Sequence, residues 1–261
     1  VDEETYWGLQ ITGNVKLTDN LTFIPKVMMQ EIDADGLPFA DVDPDNTTQL
    51  RFFDTEEPGT DEWTVLSGTF EWDLGHGKVV SVTSYYDRET DESEEEHTFL
   101  NFLYDAVIGI PIDALESQLS TTQDYESFSH ETRYSSAFDG RWQFTAGVYY
   151  QDLEAVRGYP PALQPGVNDA LNAFIGAPAN IVPGDLIFVT NAPTDTKEFA
   201  VFGEITFDIN DQLSVTAGGR YYDTEVDGSQ VSDGFANGGP SSFDASQDES
   251  GFNPRAVLEY Q

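Results

Sequence analysis

The chain has 261 residues, of which 48 are acidic and 11 basic, so its formal charge is −37, and it contains no cysteine. This charge excludes a nucleic-acid partner, because phosphate backbones are bound through lysine and arginine side chains that displace counterions. The lack of cysteine excludes disulfides, thiolate catalysis and sulfur-ligated zinc. Aromatic residues make up 13% of the chain, which argues against disorder, since disordered acidic chains are poor in aromatics.

Alternation of apolar and polar side chains begins in residues 9–17, and it resumes after a turn at 18–20. Successive side chains of a strand point to opposite faces, so the two runs predict a β-hairpin over 9–30. The same pattern predicts hairpins over 63–87, 126–152 and 196–224 and a last strand over 250–260. These strands exceed the ~5–6 residues usual in soluble sheets and match the ~9–11 that a tilted strand needs to cross a membrane.

The connections between these strands alternate in length. Turns inside hairpins have two to five residues, whereas the segments between hairpins are long and span 31–62, 88–125, 153–195 and 225–249. Those segments hold 31 of the 48 acidic residues and 3 of the 11 basic ones. Short turns at one end and long loops at the other are typical of outer-membrane barrels. The sequence therefore predicts an all-β fold: about nine strands of a larger antiparallel transmembrane β-barrel, with long extracellular loops.

Tyrosine doublets close the second strand of three predicted hairpins, just before a long loop. Aromatic side chains with a polar tip collect at the membrane–water interface, so the doublets predict an aromatic girdle. Its members are Tyr85, Tyr86, Tyr149, Tyr150, Tyr221 and Tyr222. The alternative is that tyrosine is simply a common strand residue.

The predicted strands have one apolar and one polar face. In a membrane barrel the apolar face meets lipid and the polar face lines the lumen, whereas in a sandwich the apolar face packs on a second sheet. The predicted lumen-lining residues, chosen by face and polarity, are Glu131, Arg133, Glu204, Arg220 and Arg255.

No enzyme site and no cofactor are predicted, because the three histidines are far apart and no nucleotide-binding or nucleophile motif occurs. Calcium in the acidic loops is a weaker hypothesis. Asp41, Asp43 and Asp45 occupy the first ligand positions of an EF-hand-like loop, but Asn46 replaces the glycine of that motif. A looser calcium site there or at residues 92–96 is the prediction, and solvated loop charge is the alternative.

Several strand motifs resemble the barrel hairpins of TonB-dependent receptors. The similar segments are 80–88, 128–136, 139–150, 199–208, 213–221 and 252–260. The resemblance implies an active transporter of the bacterial outer membrane, in which an N-terminal plug closes a 22-stranded barrel. It also implies energy coupling through a short N-terminal box. Neither plug, box nor the full strand set is recognisable, so the chain is expected to be a middle segment of a longer protein.

The resemblance implies import of a scarce nutrient, most often a ferric siderophore-type chelate. The implied partners are outer-membrane lipid and lipopolysaccharide, a TonB-type energy-coupling protein and a small-molecule ligand. Short helices predicted at 112–119 and 167–175 would contact the ligand or only pack on each other. The alternatives are a passive porin or structural outer-membrane barrel, and a secreted acidic calcium-binding β-sandwich.

Overall fold

A single antiparallel sheet contains all ten strands of the computed structural model, which describes residues 3–36, 55–110 and 115–260. Neighbouring strands follow chain order. The two-residue strand β2 pairs with β3, which also pairs with β1. The strands are β1 Glu4–Thr12, β2 Val15–Lys16, β3 Leu21–Ala34, β4 Gly59–Asp73, β5 Gly77–Glu95, β6 Gln118–Ser136, β7 Trp142–Leu163, β8 Leu186–Asn210, β9 Leu213–Asp233 and β10 Ser241–Tyr260. The all-β prediction is confirmed. No second sheet packs on this one within the described residues, so the sandwich alternative is wrong.

The first predicted strand is interrupted where it was expected to continue to residue 17. Gly13 donates its N–H to the carbonyl of Pro25 at 2.9 Å. Pro25 has no N–H to return that hydrogen bond, so the ladder breaks and β1 ends at Thr12, while β2 resumes at Val15.

The strands also extend far beyond the predicted hairpins. Strand β5 continues eight residues past the predicted end of its hairpin, to Glu95, and β9 continues to Asp233. The predicted long loop at 225–249 is therefore only the connection 234–240. The alternation of apolar and polar residues ends before the strands do, because the extensions are held by backbone pairing, which does not depend on an apolar face.

Helices occur in the connections. Helix α1 spans His97–Leu103 and continues as a π-helical turn at Tyr104–Ile108, helix α2 spans Val167–Ile175, and 3₁₀ turns lie at Pro183–Asp185 and Phe235–Asn237. The helix predicted at 167–175 is confirmed. The helix predicted at 112–119 is wrong for residues 115–119, since Gln118 already pairs with Glu95 in the sheet. Residues 111–114 lie outside the described residues. No described helix is long and apolar enough to cross a membrane.

A buried apolar cluster lies where two loops meet the outer end of β8. It is formed by Leu100, Tyr104, Val167, Leu171, Val182 and Ile187, and is called the loop cluster below. The Tyr104 hydroxyl donates to the Gln164 side chain at 2.8 Å, and Gln164 Nε2 donates to the Leu115 carbonyl at 3.4 Å. These bonds join the connection after β5 to the connection after β7.

Candidate functional site

The five polar residues predicted from the sequence line one concavity of about 700 Å³. They come from four strands: Glu131 and Arg133 from β6, Glu204 from β8, Arg220 from β9 and Arg255 from β10. The register brings them to the same face, which is called the concave face below. Arg255 lies opposite Gly218, which lies opposite Glu204, and Arg220 is two residues from Gly218 along β9. Strand β7 separates β6 from β8.

Each arginine of this wall has a carboxylate partner. Arg255 contacts Glu204 at 3.1 Å and Arg133 contacts Glu131 at 3.4 Å. Strand β8 contributes the third partner, since Arg220 contacts the carboxylate of Glu198. Opposite charges therefore balance along the wall, and the concave face presents alternating signs rather than a basic surface for anions.

Arg220 is the most enclosed of these bases. Its guanidinium carbon lies 5.4 Å from the centre of the Tyr149 ring, within cation–π distance. Its Nε is buried and has no acceptor among the described residues. Glu198 and Tyr149 could not be identified as partners from the sequence, because β7 and β8 reach Arg220 only through the register of the folded sheet.

Gly218 allows Glu204 to lie close to the neighbouring strand. A Cβ atom at residue 218 would lie 2.5 Å from the Cβ of Glu204 and 2.5 Å from the carbonyl oxygen of Gly203. Any side chain there would push β9 away from β8, because a backbone carbonyl cannot move aside as a flexible side chain can. The position of Glu204 opposite Arg255 therefore depends on this glycine.

Replacing Arg255 with glutamine is expected to change the free energy of unfolding by less than about 1 kcal/mol. The side chains of Arg255 and Glu204 are 65% and 36% exposed, so solvent screens their attraction. Denaturant unfolding of Arg255→Gln in lipid vesicles tests this, with Glu204→Gln and the double variant completing a cycle. A loss of several kcal/mol would show that the pair supports the sheet.

The convex face has an aromatic belt, but only half of each tyrosine doublet belongs to it. Tyr85, Tyr150 and Tyr221 are exposed on this face. The other tyrosine of each doublet points to the concave face. The belt crosses six strands through Tyr85, Phe128, Tyr150, Phe199, Tyr221 and Phe252. Tyr86, Tyr149 and Tyr222 lie on the concave face, so their assignment to the girdle is wrong. Neighbouring residues of a strand cannot share a face.

Below the belt, the convex face carries one polar group of side chains. His130 bonds Thr83 Oγ1 through Nδ1 at 2.8 Å and Thr132 Oγ1 through Nε2 at 3.0 Å. Thr132 in turn donates to Ser81 Oγ at 2.9 Å. In a membrane barrel the lipid offers this face no hydrogen bonds, so polar side chains on it must satisfy one another. This group meets that requirement within two neighbouring strands.

The predicted calcium ligands are not tested by the structure. Asp41, Asp43 and Asp45 lie outside the described residues. Within 3–36, 55–110 and 115–260, no three histidine or carboxylate side chains lie close enough together to hold a metal ion, and this includes residues 92–96. Calcium binding by the acidic loops stays a prediction.

Among the loop carboxylates, Glu96 has a raised pKa. Burial and the adjacent Glu94 and Glu95 carboxylates raise the pKa of Glu96 from 4.5 to about 7. Burial likewise raises the pKa of the Tyr104 hydroxyl in the loop cluster.

The connection around α1 is expected to loosen as the pH rises from about 4.5 to 7. In this window the folded state binds more protons at Glu96 than the unfolded state does, so stability falls with pH and levels off above 7. Hydrogen exchange of residues 96–110 across this range, corrected for intrinsic rates, tests it. Glu96→Gln should remove this part of the pH dependence. An unchanged pH dependence in that variant would show that Glu96 is not its source.

A sequence model described as "TonB dependent receptor-like, beta-barrel" matches residues 5–261 of the chain. No curated protein sequence matches it. Solved structures with a similar fold include the ferric yersiniabactin uptake receptor FyuA of Yersinia pestis, with a TM-score of 0.71 at 8% identity over 98% of this chain. The siderophore receptor PiuA of Acinetobacter baumannii gives 0.66 at 13% over 99%, and the ferric citrate transporter FecA gives 0.60 at 15% over 99%.

The chain spans only part of these structures: 35% of FyuA, 40% of PiuA and 34% of FecA. At these identities the likeness concerns the fold alone. The single curved sheet, its polar concave face and its aromatic convex belt are thus the architecture of about a third of a known outer-membrane barrel.

Proposed function

The chain belongs to the TonB-dependent receptor β-barrel family of the bacterial outer membrane, and from this premise we propose that it imports a scarce nutrient by ligand binding and energy-coupled gated transport. Proteins of this family and the similar solved structures are receptors and transporters, not enzymes. The nutrient we propose is a ferric siderophore-type chelate.

The concave wall is the observation that supports transport most directly. A concavity of about 700 Å³ is lined by three arginines and two glutamates. Arg133 and Arg255 pair with these two glutamates, whereas Arg220 pairs with Glu198. In the first two pairs both side chains are about one-third or more exposed, and such pairs are weak, about 0–1 kcal/mol, so a passing group can exchange with a partner at little cost. In our proposal Glu131, Arg133, Glu204, Arg220 and Arg255 form this lumen wall.

The edges of the sheet bear on the architecture of the whole protein. Within the described residues, β1 pairs with β3 alone and β10 pairs with β9 alone, so each has an unpaired outer edge. Backbone groups in lipid must be hydrogen-bonded. We therefore propose that further strands of the full protein close the barrel and that a separate plug domain fills it. A TonB-type protein would act on that plug, and outer-membrane lipid and lipopolysaccharide would surround the barrel.

The names of the three similar structures support iron as the cargo, since each refers to a ferric complex or a siderophore. The net charge of the chain also bears on the charge of the chelate that we propose. A net charge of −37 repels anions before they reach the loops. A neutral or cationic ferric chelate therefore fits this receptor better than an anionic one.

Uptake of radioactive iron by iron-limited cells that produce the full-length receptor tests the proposal. The probes are ferrioxamine B, a cationic hydroxamate complex, and ferric citrate, an anionic one. We expect uptake of ferrioxamine B to exceed uptake of ferric citrate and to stop when the energy-coupling protein is deleted. Uptake that survives this deletion would support the passive porin alternative, and uptake of neither probe would contradict iron import.

A further inference from the structure

A second cavity, of about 330 Å³, lies where α1 and the outer ends of β6, β7 and β8 meet, next to the loop cluster. Its wall is mainly apolar and includes Phe99, Leu100, Leu119, Tyr159, Ile187 and Phe188. The rings of Tyr159 and Phe188 meet edge to face, with their centres 5.1 Å apart. Phe99 is largely exposed and stands at the rim. The cavity has the size and lining of a site for a small apolar or aromatic group.

Two polar side chains, Glu96 and Ser117, interrupt this apolar wall. They are neighbours, because Glu96 N–H donates to the Ser117 carbonyl at 2.9 Å. The Ser117 side chain is 3% exposed, and its hydroxyl has no hydrogen-bond partner among the described residues. An unsatisfied buried hydroxyl is costly and rare in folded proteins. A bound group that supplies the missing partner would remove that cost.

The charge at this point is negative. Glu96 lies beside Glu94 and Glu95, and no basic side chain lines the cavity within the described residues. The guanidinium carbon of Arg157 lies 5.2 Å from the centre of the ring of Tyr159, a residue of the cavity wall. A ligand that pairs with Glu96 must therefore bring its own positive charge.

We propose that this cavity binds the aromatic or apolar end of a ligand that carries an ammonium group. The rings and aliphatic side chains enclose the apolar end, while the ammonium donates one hydrogen bond to the Glu96 carboxylate and one to the Ser117 hydroxyl. The inference deepens the proposed function, since it gives the chemical class of a molecule, or part of one, that the loops capture. It requires binding only and no transport.

Two probes with the same ring and opposite charge test the proposal: tryptamine and indole-3-propionate. Their binding to the full-length receptor in nonionic detergent is measured by calorimetry at pH 8, where Glu96 is ionised. A charged hydrogen bond in a partly buried site predicts that tryptamine binds roughly 10- to 100-fold more tightly than indole-3-propionate. Glu96→Gln keeps the shape of the side chain and should reduce this ratio to about one.

Further variants separate the pocket from general loop damage. Ser117→Ala should weaken tryptamine binding roughly 5- to 10-fold. Ala236→Phe, at an exposed position of the cavity wall, should block both probes by filling the space. Glu89→Gln removes an exposed carboxylate of β5 that does not line the cavity, and it should leave both affinities unchanged.

Equal binding of the two probes, binding of neither, or an equal effect of Glu89→Gln and Glu96→Gln would overturn the proposal. Because the measurement is made at equilibrium on isolated receptor, it does not depend on energy coupling. Selective tryptamine binding without iron uptake would contradict iron import alone, and iron uptake without selective binding would contradict this pocket alone.

Discussion

Ile205→Arg is expected to destabilise the folded protein in lipid by about 2–4 kcal/mol, the cost of a cation near the middle of a lipid-facing barrel surface. Ile205 is 53% exposed on the convex face. It lies between Phe199, in the aromatic belt, and Phe207 toward the other end of β8. Its cross-strand neighbours are Phe144 and Ala217. An arginine there meets hydrocarbon and apolar side chains, with no carboxylate opposite it.

The next residue of the same strand is the control. Thr206 points to the concave face, where its hydroxyl bonds Thr216 at 2.7 Å, and Thr206→Arg should cost no more than about 1 kcal/mol, the worth of that bond. Unfolding of the full-length protein in lipid vesicles, followed by tryptophan fluorescence and by heat-dependent gel mobility, measures both. Equal losses for the two variants would mean that the convex face does not meet lipid.

Leu171→Ala should open the two loops that share the loop cluster, at a cost of about 2–5 kcal/mol in local stability. Leu171 is 0% exposed and is one of the largest fully buried side chains of the described residues. Since its partners Leu100 and Tyr104 come from another connection, the cavity left by Leu171→Ala should loosen both. Hydrogen exchange should rise roughly 30-fold or more in 96–110 and 164–185.

Phe174→Ala in the same helix is the matched control. Phe174 is a larger apolar residue but is 55% exposed, so its loss should change exchange in α2 only slightly and leave α1 unchanged. If Leu171→Ala affected only its own loop, the two connections would not form one cooperative unit. The strands below should keep their protection in both variants, because β8 contacts this cluster at its outer end, at Ile187.

The wall of the concave face could be predicted because alternation is a local property. Once Glu131 and Arg133 are assigned to one face, every second residue of β6 shares it, whatever the rest of the chain does. The same rule, applied strictly, would have divided the tyrosine doublets correctly. Tyr149 and Tyr150 are consecutive residues of β7, so their side chains lie on opposite faces.

The loops could not be predicted in the same way. Helix α1 and the turn that follows it contact residues far away in the chain, such as Gln164 and Ile187. The strand extensions show no alternation by which their ends could be located in the sequence. The helix predicted at 112–119 followed from apolar residues at i, i+3 and i+7, but pairing with β5 makes Gln118 part of a strand instead.

The amino-acid sequence by itself determined the all-β class, the hairpin order and the polar and apolar faces of the membrane-crossing strands, because solvent on one side and lipid on the other impose a period of two residues. Only the tertiary structure decided which acid each arginine meets and where the strands end. It also decided that α1 and the outer ends of three strands enclose an apolar cavity beside Glu96. Those features depend on cross-strand register and on contacts between distant segments, whose energies arise only when the sheet has formed.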